Sequence, residues 1–465
     1  MNTIDLALQH FDNHKDEYLE DLNEMIRIPS VGADPACAPH MRRSAEKVAE
    51  VFRRRGLENV EVLDVDEANP YAYGDWLHAP GKPTVLCYAH HDVQPPGDES
   101  RWLSPPFEPT VRPDGRLYGR GSADDKAGIS VVTAAIDACL KAGKSLPVNV
   151  KLMVEGEEEI GSEHLTEFTK KYRSRLDADV MIITDSGNFD TGIPAITTSL
   201  RGLASCEVTV RALKQSVHSG SWGGPTPDAV MALCKILASV VDESGDLAIQ
   251  GIFDKVRPLT ETERRDYDSL PMTDAEFRKQ AGLLLGVQPV GRAKNYFERL
   301  WRIPSFSINA IEAASMKAPR NVIVDVASAR IGIRTVPDMD GDEVLAMLKA
   351  HLKEHAPWGV EVSVRAEGTG AHWTTDIAHP AFAAARRALK KGYGKPAVMI
   401  GQGGSIPFVG PFAAELGNPP ALLIGVEDPY TAAHSENESL HLGDWEKTVR
   451  SLIYLFEELA ALPKG

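Results

Sequence analysis

Histidine and acidic side chains in this 465-residue sequence gather just after short apolar runs or glycine turns. The clusters are His90-His91-Asp92, Asp124-Asp125, Glu157-Glu158-Glu159, Asp185 and His434. Because the carboxyl ends of the strands of an α/β sheet share one edge, loops from that edge can bring these side chains into one pocket. Two imidazoles with several carboxylates form the ligand set of a two-metal hydrolytic site.

The first cluster follows the apolar run TVLCYA and places His90 two positions before Asp92. Side chains at positions i and i+2 of an extended segment point the same way. A metal-bound imidazole needs a hydrogen bond at its second nitrogen, usually to a carboxylate, which Asp92 could supply. His91 alternates to the other face and is the weaker ligand candidate. Taken alone, the motif fits a polar strand end equally well.

Two acidic clusters carry the strongest local signals. Asp124 and Asp125 follow a glycine-rich bend and open a helix, where one acid would suffice for capping, whereas a carboxylate can also bridge two cations. Glu157, Glu158 and Glu159 repel one another unless cations neutralise them, although a solvated acidic loop is the alternative. If one glutamate binds a metal, its neighbour can accept a proton from metal-bound water, whose pKa falls towards about 7.

Bulk composition limits the partners and the setting. Fifty basic and 66 acidic residues give a formal charge of −16, which disfavours nucleic acid and anionic membranes. Five cysteines, an odd number without a C-x-x-C motif, indicate reduced thiols and a cytoplasmic location. The sequence has no secretory-signal pattern at its start, and no apolar run approaches the roughly 18 residues of a membrane span.

Strand and helix patterns predict an α/β protein with an insertion. Strand-like runs NVEVLDV, TVLCYA, PVNVKLMV and DVMIIT alternate with helical patterns over 4–27, 41–55 and 126–142. From about residue 199, half-exposed alternating strands with two helices indicate a separate α+β layer, and the α/β style resumes near residue 375. The predicted domains are 1–198 and 377–465, which form one catalytic domain, with 199–376 inserted between them.

The motifs together resemble the aminoacylase/carnosinase-type dinuclear zinc metallopeptidases, especially their cytosolic dipeptidase branch. The matching stretches, in the family's order, are AHHDVQPP, LYGRGSADDKAG, EGEEEIGSE, DSGNFD, HSGSWGG, RTVPDMD, GGSIP and AHSENE. The resemblance implies a zinc-peptidase-like mixed sheet flanked by helices. It also implies an inserted lid, a four-stranded sheet with two helices, through which the chain forms a homodimer.

The resemblance also implies an activity and metal ligands. The activity is that of a metal-dependent exopeptidase that hydrolyses dipeptides with two Zn²⁺ ions per subunit, and the same ligand types accept Mn²⁺ or Co²⁺. One ion would be bound by His90, Asp124 and Asp185. The other would be bound by Asp124, Glu159 and His434, with Asp124 bridging. Asp92 would orient His90, Glu158 would be the general base, and the peptide between Asp124 and Asp125 would be cis.

Four further residues match positions that contact substrate in the family. His218 is similar to a residue that reaches the partner subunit's site and steadies the oxyanion. Arg334 would hold the substrate carboxylate, which suits a bidentate guanidinium, although a surface arginine is the alternative. Ser405 would contact substrate, and Asn321 stands where relatives often carry a hydroxyl residue.

Departures from the family pattern leave other functions open. Ala89 and Ala127 stand where glycine is usual, and Gln402 replaces a common acidic residue, which could alter substrate choice. An N-acyl amino-acid amidohydrolase or a carboxypeptidase would use the same site. A catalytically silent binding protein on the same fold is a third alternative, which the complete set of ligands and base disfavours.

Overall fold

The computed structural model describes residues 2–403 and 409–463 and divides the chain into two compact units. The first unit contains the chain up to Thr198, residues Thr375–Ile400 and the described C-terminal part. The second unit is Ser199–Thr374 together with residues 401–403. The sequence predicted an insertion over 199–376. Compared with that prediction, the second unit ends two residues earlier and also includes the short segment at 401–403.

The elements follow in chain order. The strands are β1 Glu58–Leu63, β2 Tyr71–Trp76, β3 Thr84–His90, β4 Thr110–Val111, β5 Arg116–Tyr118, β6 Asn149–Glu155, β7 Val180–Ile183, β8 Ala195–Leu200, β9 Gly202–Arg211, β10 Val217–His218, β11 Ser305–Glu312, β12 Val322–Ile323, β13 Val326–Thr335, β14 Glu361–Gly370, β15 Trp373–Thr374, β16 Val398–Gln402, β17 Ala421–Leu423 and β18 Ser439–His441. The helices are α1 Thr3–Asn13, α2 Lys15–Ile26, α3 Ala38–Arg54, α4 Lys126–Gly143, α5 Leu165–Lys171, α6 Arg173–Leu176, α7 Ser219–Trp222, α8 Ala229–Ser239, α9 Glu261–Asp268, α10 Asp274–Gln280, α11 Tyr296–Trp301, α12 Gly341–Glu354, α13 Pro380–Tyr393, α14 Val409–Glu415 and α15 Leu442–Leu459.

The main sheet of the first unit runs in the order β1-β2-β6-β3-β7-β17-β8. Its central strands β6, β3, β7 and β17 are parallel, and β3, β6 and β7 are buried almost throughout. Helices cover such strands on both faces, which explains why they read as continuous apolar runs in the sequence. The parallel register places His90 opposite Glu155, so both strands end at the same edge of the sheet.

The predicted N-terminal helix over 4–27 is wrong, because the structure has two helices separated at His14. The ring Nδ1 of His14 lies 2.8 Å from the carbonyl oxygen of His10, the acceptor that a continuous helix gives to the backbone N–H of residue 14. The backbone N–H of His14 bonds instead to the carbonyl of Phe11. A side chain thus competes with the backbone for one carbonyl, and the helix ends there.

The second unit has the predicted α+β architecture. Its four-stranded antiparallel sheet runs β11-β13-β9-β14. Along β9, buried and half-buried residues alternate, and the apolar face packs with residues of α8 and α12 into one core. The charged stretch between residues 243 and 300 forms the short helices α9 to α11. In the described part of the chain, no helix combines the length and apolarity needed to cross a membrane.

The predicted loop over 94–116 is partly ordered into a small sheet with the order β18-β5-β4. Arg116 at the start of β5 forms a bidentate ion pair with Asp428, with both nitrogen–oxygen distances at 2.8 Å. Its Nε donates to the hydroxyl of Ser439, also at 2.8 Å. Both members of the ion pair are buried. These contacts attach the segment that carries His434 to the rest of the first unit.

We expect Arg116→Met to lower the free energy of unfolding by about 3–5 kcal/mol, because it leaves the buried Asp428 carboxylate without its cation. The matched control is Arg42→Met, which removes an exposed ion pair with Asp64 and should cost at most about 1 kcal/mol. Urea denaturation followed by circular dichroism measures both. Equal stability losses in the two variants would show that the Arg116 ion pair contributes no more than an exposed one.

Candidate metal centre

The structure brings the predicted metal ligands together at the carboxyl edge of the main sheet. His90 is the last residue of β3, and Asp185 follows β7 by two positions. Asp124 precedes α4, and Glu159 lies in the helical turn after β6. His434 lies in the loop between β17 and β18. Residues separated by more than 340 positions in the chain therefore meet because parallel strands end at one edge.

Asp124 lies between the two histidines. Its Oδ1 is 3.0 Å from Nε2 of His90, and its Oδ2 is 3.1 Å from Nε2 of His434. The same nitrogen of His434 is 3.2 Å from Oε2 of Glu159. The peptide bond between Asp124 and Asp125 is cis, as the family resemblance implied. One carboxylate thus presents one oxygen to each of two imidazoles.

Two groups of three residues each place their ligand atoms within 4.8 Å of one another. The first group is His90, Glu158 and Asp185, and the second is Asp124, Glu159 and His434. The second group matches the set predicted from the sequence. In the first group Glu158 takes the position predicted for Asp124, although Asp124 also contacts His90. Glu158 is therefore close enough to act either as a base or as a ligand.

The electrostatics of this cluster favour divalent cations. Burial, together with the charge of Asp185, raises the pKa of Glu158 well above its usual value. Burial likewise raises the pKa of Asp185, and Asp124 and Glu159 add to the effect. The hydrogen bonds with Asp124 and Glu159 raise the pKa of His434 to about 11. The negative charges of Glu158 and Asp185 are thus unfavourable without nearby cations, whereas the two imidazoles lower the pKa of Asp124. Nitrogen and oxygen donors of this kind suit zinc or manganese ions.

Asp92 holds both the first histidine and the acidic turn. Nδ1 of His90 lies 3.0 Å from the backbone oxygen of Asp92 and 3.4 Å from its carboxylate Oδ1. The Asp92 carboxylate also accepts hydrogen bonds from the backbone N–H groups of Glu158, at 3.3 Å, and Glu159, at 3.0 Å. Because it is fully buried, Asp92 fixes the position of these groups relative to one another.

We expect Asp92→Asn to weaken metal binding by about 10–100-fold, because the amide cannot accept both backbone hydrogen bonds as strongly and orients His90 less well. Competition with a chromophoric chelator measures the affinity. Asp66→Asn, which changes an exposed aspartate of the same unit, is the control and should leave metal affinity unchanged. An unchanged affinity in the Asp92 variant would remove this residue from the support of the metal site.

Three supporting residues were given no role from the sequence, although Asp125 belongs to one of the predicted clusters. Glu438 accepts hydrogen bonds from the backbone N–H groups of Gly121, Ala123 and Asp124 and forms a buried ion pair with Arg120. Gln94 donates to the Glu159 carboxylate at 2.8 Å, and Asp125 accepts a hydrogen bond from the backbone N–H of His90. In the sequence, only their positions inside the matching stretches could have indicated them. Glu438 ends AHSENE, Gln94 lies within AHHDVQPP, and Asp125 lies within LYGRGSADDKAG.

Two neighbouring residues of the clusters bond elsewhere. The Nε2 atom of His91 lies 2.8 Å from the backbone oxygen of Pro70, and burial lowers the pKa of this histidine to about 4. Glu157 contacts the ring of His164 at 3.1 Å and accepts from the backbone N–H of Asn69 at 3.0 Å. These contacts hold both side chains in hydrogen bonds outside the two groups of ligands.

The described residues predicted to contact substrate belong to the second unit. His218 is exposed at the end of β10, and its Nδ1 accepts hydrogen bonds from the backbone N–H groups of Gly220 and Ser221. Pairing of β10 with β12 brings Asn321 beside this turn, where its carbonyl accepts from the N–H of Ser219. Arg334 is half-buried on β13, and Ser405 lies outside the described residues.

Comparison with known proteins identifies the family. The family model described as Peptidase family M20/M25/M40 matches residues 86–458, so the chain belongs to this family of peptidases. The resemblance drawn from the sequence motifs is thereby confirmed.

Individual relatives are similar over nearly the whole chain. The Cys-Gly metallodipeptidase dug1 of Schizosaccharomyces pombe is 30% identical over 99% of this chain and 99% of its own length. The crystal structure of human carnosine dipeptidase 1 superposes with a TM-score of 0.87 at 29% identity, covering 99% of this chain and 100% of that one. The metallo-carboxypeptidase Sso-CP2 of Sulfolobus solfataricus gives a TM-score of 0.82 at 28% identity, covering 96% and 100% respectively.

Proposed function

We propose that this chain is a metal-dependent exopeptidase that hydrolyses dipeptides with two Zn²⁺ ions per subunit. The observation that carries the proposal is the Asp124 carboxylate, which belongs to the ligand group of Glu159 and His434 and also contacts His90 of the other group. Mn²⁺ or Co²⁺ would suit the same donors. The roles assigned below to single residues are part of this proposal.

Bound metal ions would polarise the scissile carbonyl and lower the pKa of the attacking water. Glu158 takes the proton of that water and passes it to the amine that leaves. The backbone N–H of Glu158 donates to the buried Asp92 carboxylate, which fixes the start of the turn that carries the base. The Asp92 contacts therefore hold the proton acceptor and the ring of His90 in one geometry.

His218 would act in the site of a partner subunit, in a homodimer formed through the second unit. Because its Nδ1 accepts two backbone hydrogen bonds, the proton of the neutral ring lies on Nε2. An exposed Nε2–H group can donate to an oxyanion, as the proposed role requires. Removal of this ring should lower kcat more than it raises KM.

Arg334 would bind the free carboxylate of the substrate, with Ser405 and Asn321 as further contacts. Burial lowers the pKa of Arg334 below its usual value, yet a guanidinium remains charged at neutral pH. Two dipeptidases similar to this chain are named for Cys-Gly and carnosine, which supports a dipeptide substrate. The odd number of cysteines continues to favour a cytoplasmic setting.

A panel of substrates tests the proposal. Cys-Gly and β-Ala-His should be hydrolysed by the metal-loaded enzyme, and N-acetylated amino acids and tripeptides should be cleaved at least about 100-fold more slowly in kcat/KM. The similarity to a metallo-carboxypeptidase makes carboxypeptidase activity the specific alternative. Release of the C-terminal residue from longer peptides at a rate equal to that of dipeptides would establish the alternative.

A further inference from the structure

A cavity of about 440 Å³ lies within the second unit, between the start of that unit and the charged stretch that contains α10 and α11. Its walls are mainly apolar, with Phe277, Leu283, Val290, Leu300 and Ile303 among them. Of the described residues predicted for the metal or substrate site, none lines it. Cavities of this size hold small organic molecules.

One of the residues that line the cavity is a buried cation. Arg201 is only 8% exposed, and its guanidinium donates from Nε to the carbonyl of Gly403 and from Nη1 to the hydroxyl of Ser305, at 3.3 and 3.0 Å. Within the described ranges of the chain, no carboxylate forms an ion pair with it. Burial, and then the charge of Arg334, lowers the pKa of Arg201 to about 10, so it is still charged at neutral pH. A buried charge without a counter-ion is costly.

Other charged groups of the lining already have partners. Arg299 donates to the backbone oxygens of Val290 and Ala293. Asp246 accepts hydrogen bonds from the hydroxyl of Ser244 and from the backbone N–H of Arg292. Arg299 is only half-buried, so water can screen its charge. Arg201 is buried and is therefore the group of this lining whose charge an incoming anion would balance.

Two stacked aromatic side chains form part of the cavity wall. The rings of Phe277 and Tyr296 are stacked, with centroids 3.9 Å apart and planes 3° from parallel. Both residues line the cavity. Such a pair forms a rigid apolar surface against which a ring or an alkyl chain of a ligand can pack.

We propose that this cavity is a binding site for a small organic anion that has an apolar or aromatic body and a carboxylate. The carboxylate pairs with Arg201, for which a planar guanidinium provides bidentate geometry. The body packs against the apolar wall that includes Leu283 and Phe277. The proposal is independent of the peptidase function, since no step of dipeptide hydrolysis assigned above uses these residues.

Calorimetric titration of the full-length, metal-loaded protein with 3-phenylpropionate tests the site. We expect a dissociation constant on the order of 10–1000 µM. The alcohol 3-phenylpropanol keeps the body without the charge, and acetate keeps the charge without the body. Each should bind at least about tenfold more weakly than 3-phenylpropionate, because the alcohol lacks the ion pair with Arg201 and acetate lacks the apolar contact. Equal binding of the alcohol, or absence of binding up to about 10 mM 3-phenylpropionate, would overturn the proposal.

A pair of variants at Leu283 shows whether the probe binds in this cavity. Leu283 is half-buried, so substitution there should leave the fold intact. Leu283→Glu places a negative charge in the lining and should weaken binding about tenfold or more, whereas Leu283→Gln should change it by less than about threefold. Binding of the probe at the metal centre would respond equally to both variants, and that result would contradict the proposal. Arg201→Met should abolish the preference for the carboxylate over the alcohol.

Discussion

Replacement of Glu158 by glutamine is expected to lower kcat for dipeptide hydrolysis by about 10²–10⁴-fold while both metal ions stay bound. The amide keeps the size of the side chain but cannot accept a proton from water. Glu158 shares a group of ligand atoms with His90 and Asp185, so it could be either a base or a metal ligand. Metal content measured together with activity distinguishes the two roles. Metal content by elemental analysis and kcat for Cys-Gly are measured on the same sample.

The matched control is Glu163→Gln, which changes an exposed glutamate a few positions further along the same segment. It should retain native activity and metal content. If Glu158→Gln instead lost one metal ion together with activity, Glu158 would be a ligand rather than the base. Near-native turnover in this variant would exclude both roles.

Asp124→Asn is expected to lose both metal ions and to lower turnover by about 10³-fold or more. Each oxygen of this carboxylate faces a different histidine, at 3.0 Å from His90 and 3.1 Å from His434. An amide offers one oxygen and no charge, so it cannot complete the ligand sets that the sequence predicted for the two ions, both of which include Asp124. Elemental analysis after dialysis against metal-free buffer measures the loss.

Asp185→Asn provides the comparison. Asp185 belongs to the predicted ligand set of one ion only, beside His90, so this variant should lose one ion. Asp114→Asn, on the exposed turn before β5, is the control for handling and should keep both ions. Loss of a single ion in Asp124→Asn would contradict a bridging role for this carboxylate.

The positions of the metal ligands could be inferred from sequence because of how parallel sheets are built. Strands β3, β6 and β7 are covered on both faces, so each reads as an uninterrupted apolar run with a sharp end. Polar residues directly after such runs must lie at one edge of the sheet, as His90 and Asp185 do. The order of the second unit's sheet could be expected only from the family, since alternation in β9 and β13 does not fix their neighbours.

Other features depend on contacts that leave no periodic signal. The break at His14 arises from one side chain that competes for one carbonyl. Strand β4 has two residues, too few for any alternation to be visible. Glu438 supports the turn before α4 by accepting hydrogen bonds from backbone N–H groups more than 300 positions away. Because nearly every residue has a backbone N–H group, the sequence does not mark these donors. Only coordinates reveal contacts of this kind.

Anomalous diffraction at the zinc edge, from crystals grown with Zn²⁺ and an uncleavable dipeptide analogue, tests the two-metal site most directly. Two strong peaks about 3.5–4 Å apart are expected, one beside His90 and Asp185 and the other beside Glu159 and His434, with Asp124 between them. A single peak, or peaks remote from Asp124, would contradict the mechanism proposed for this peptidase.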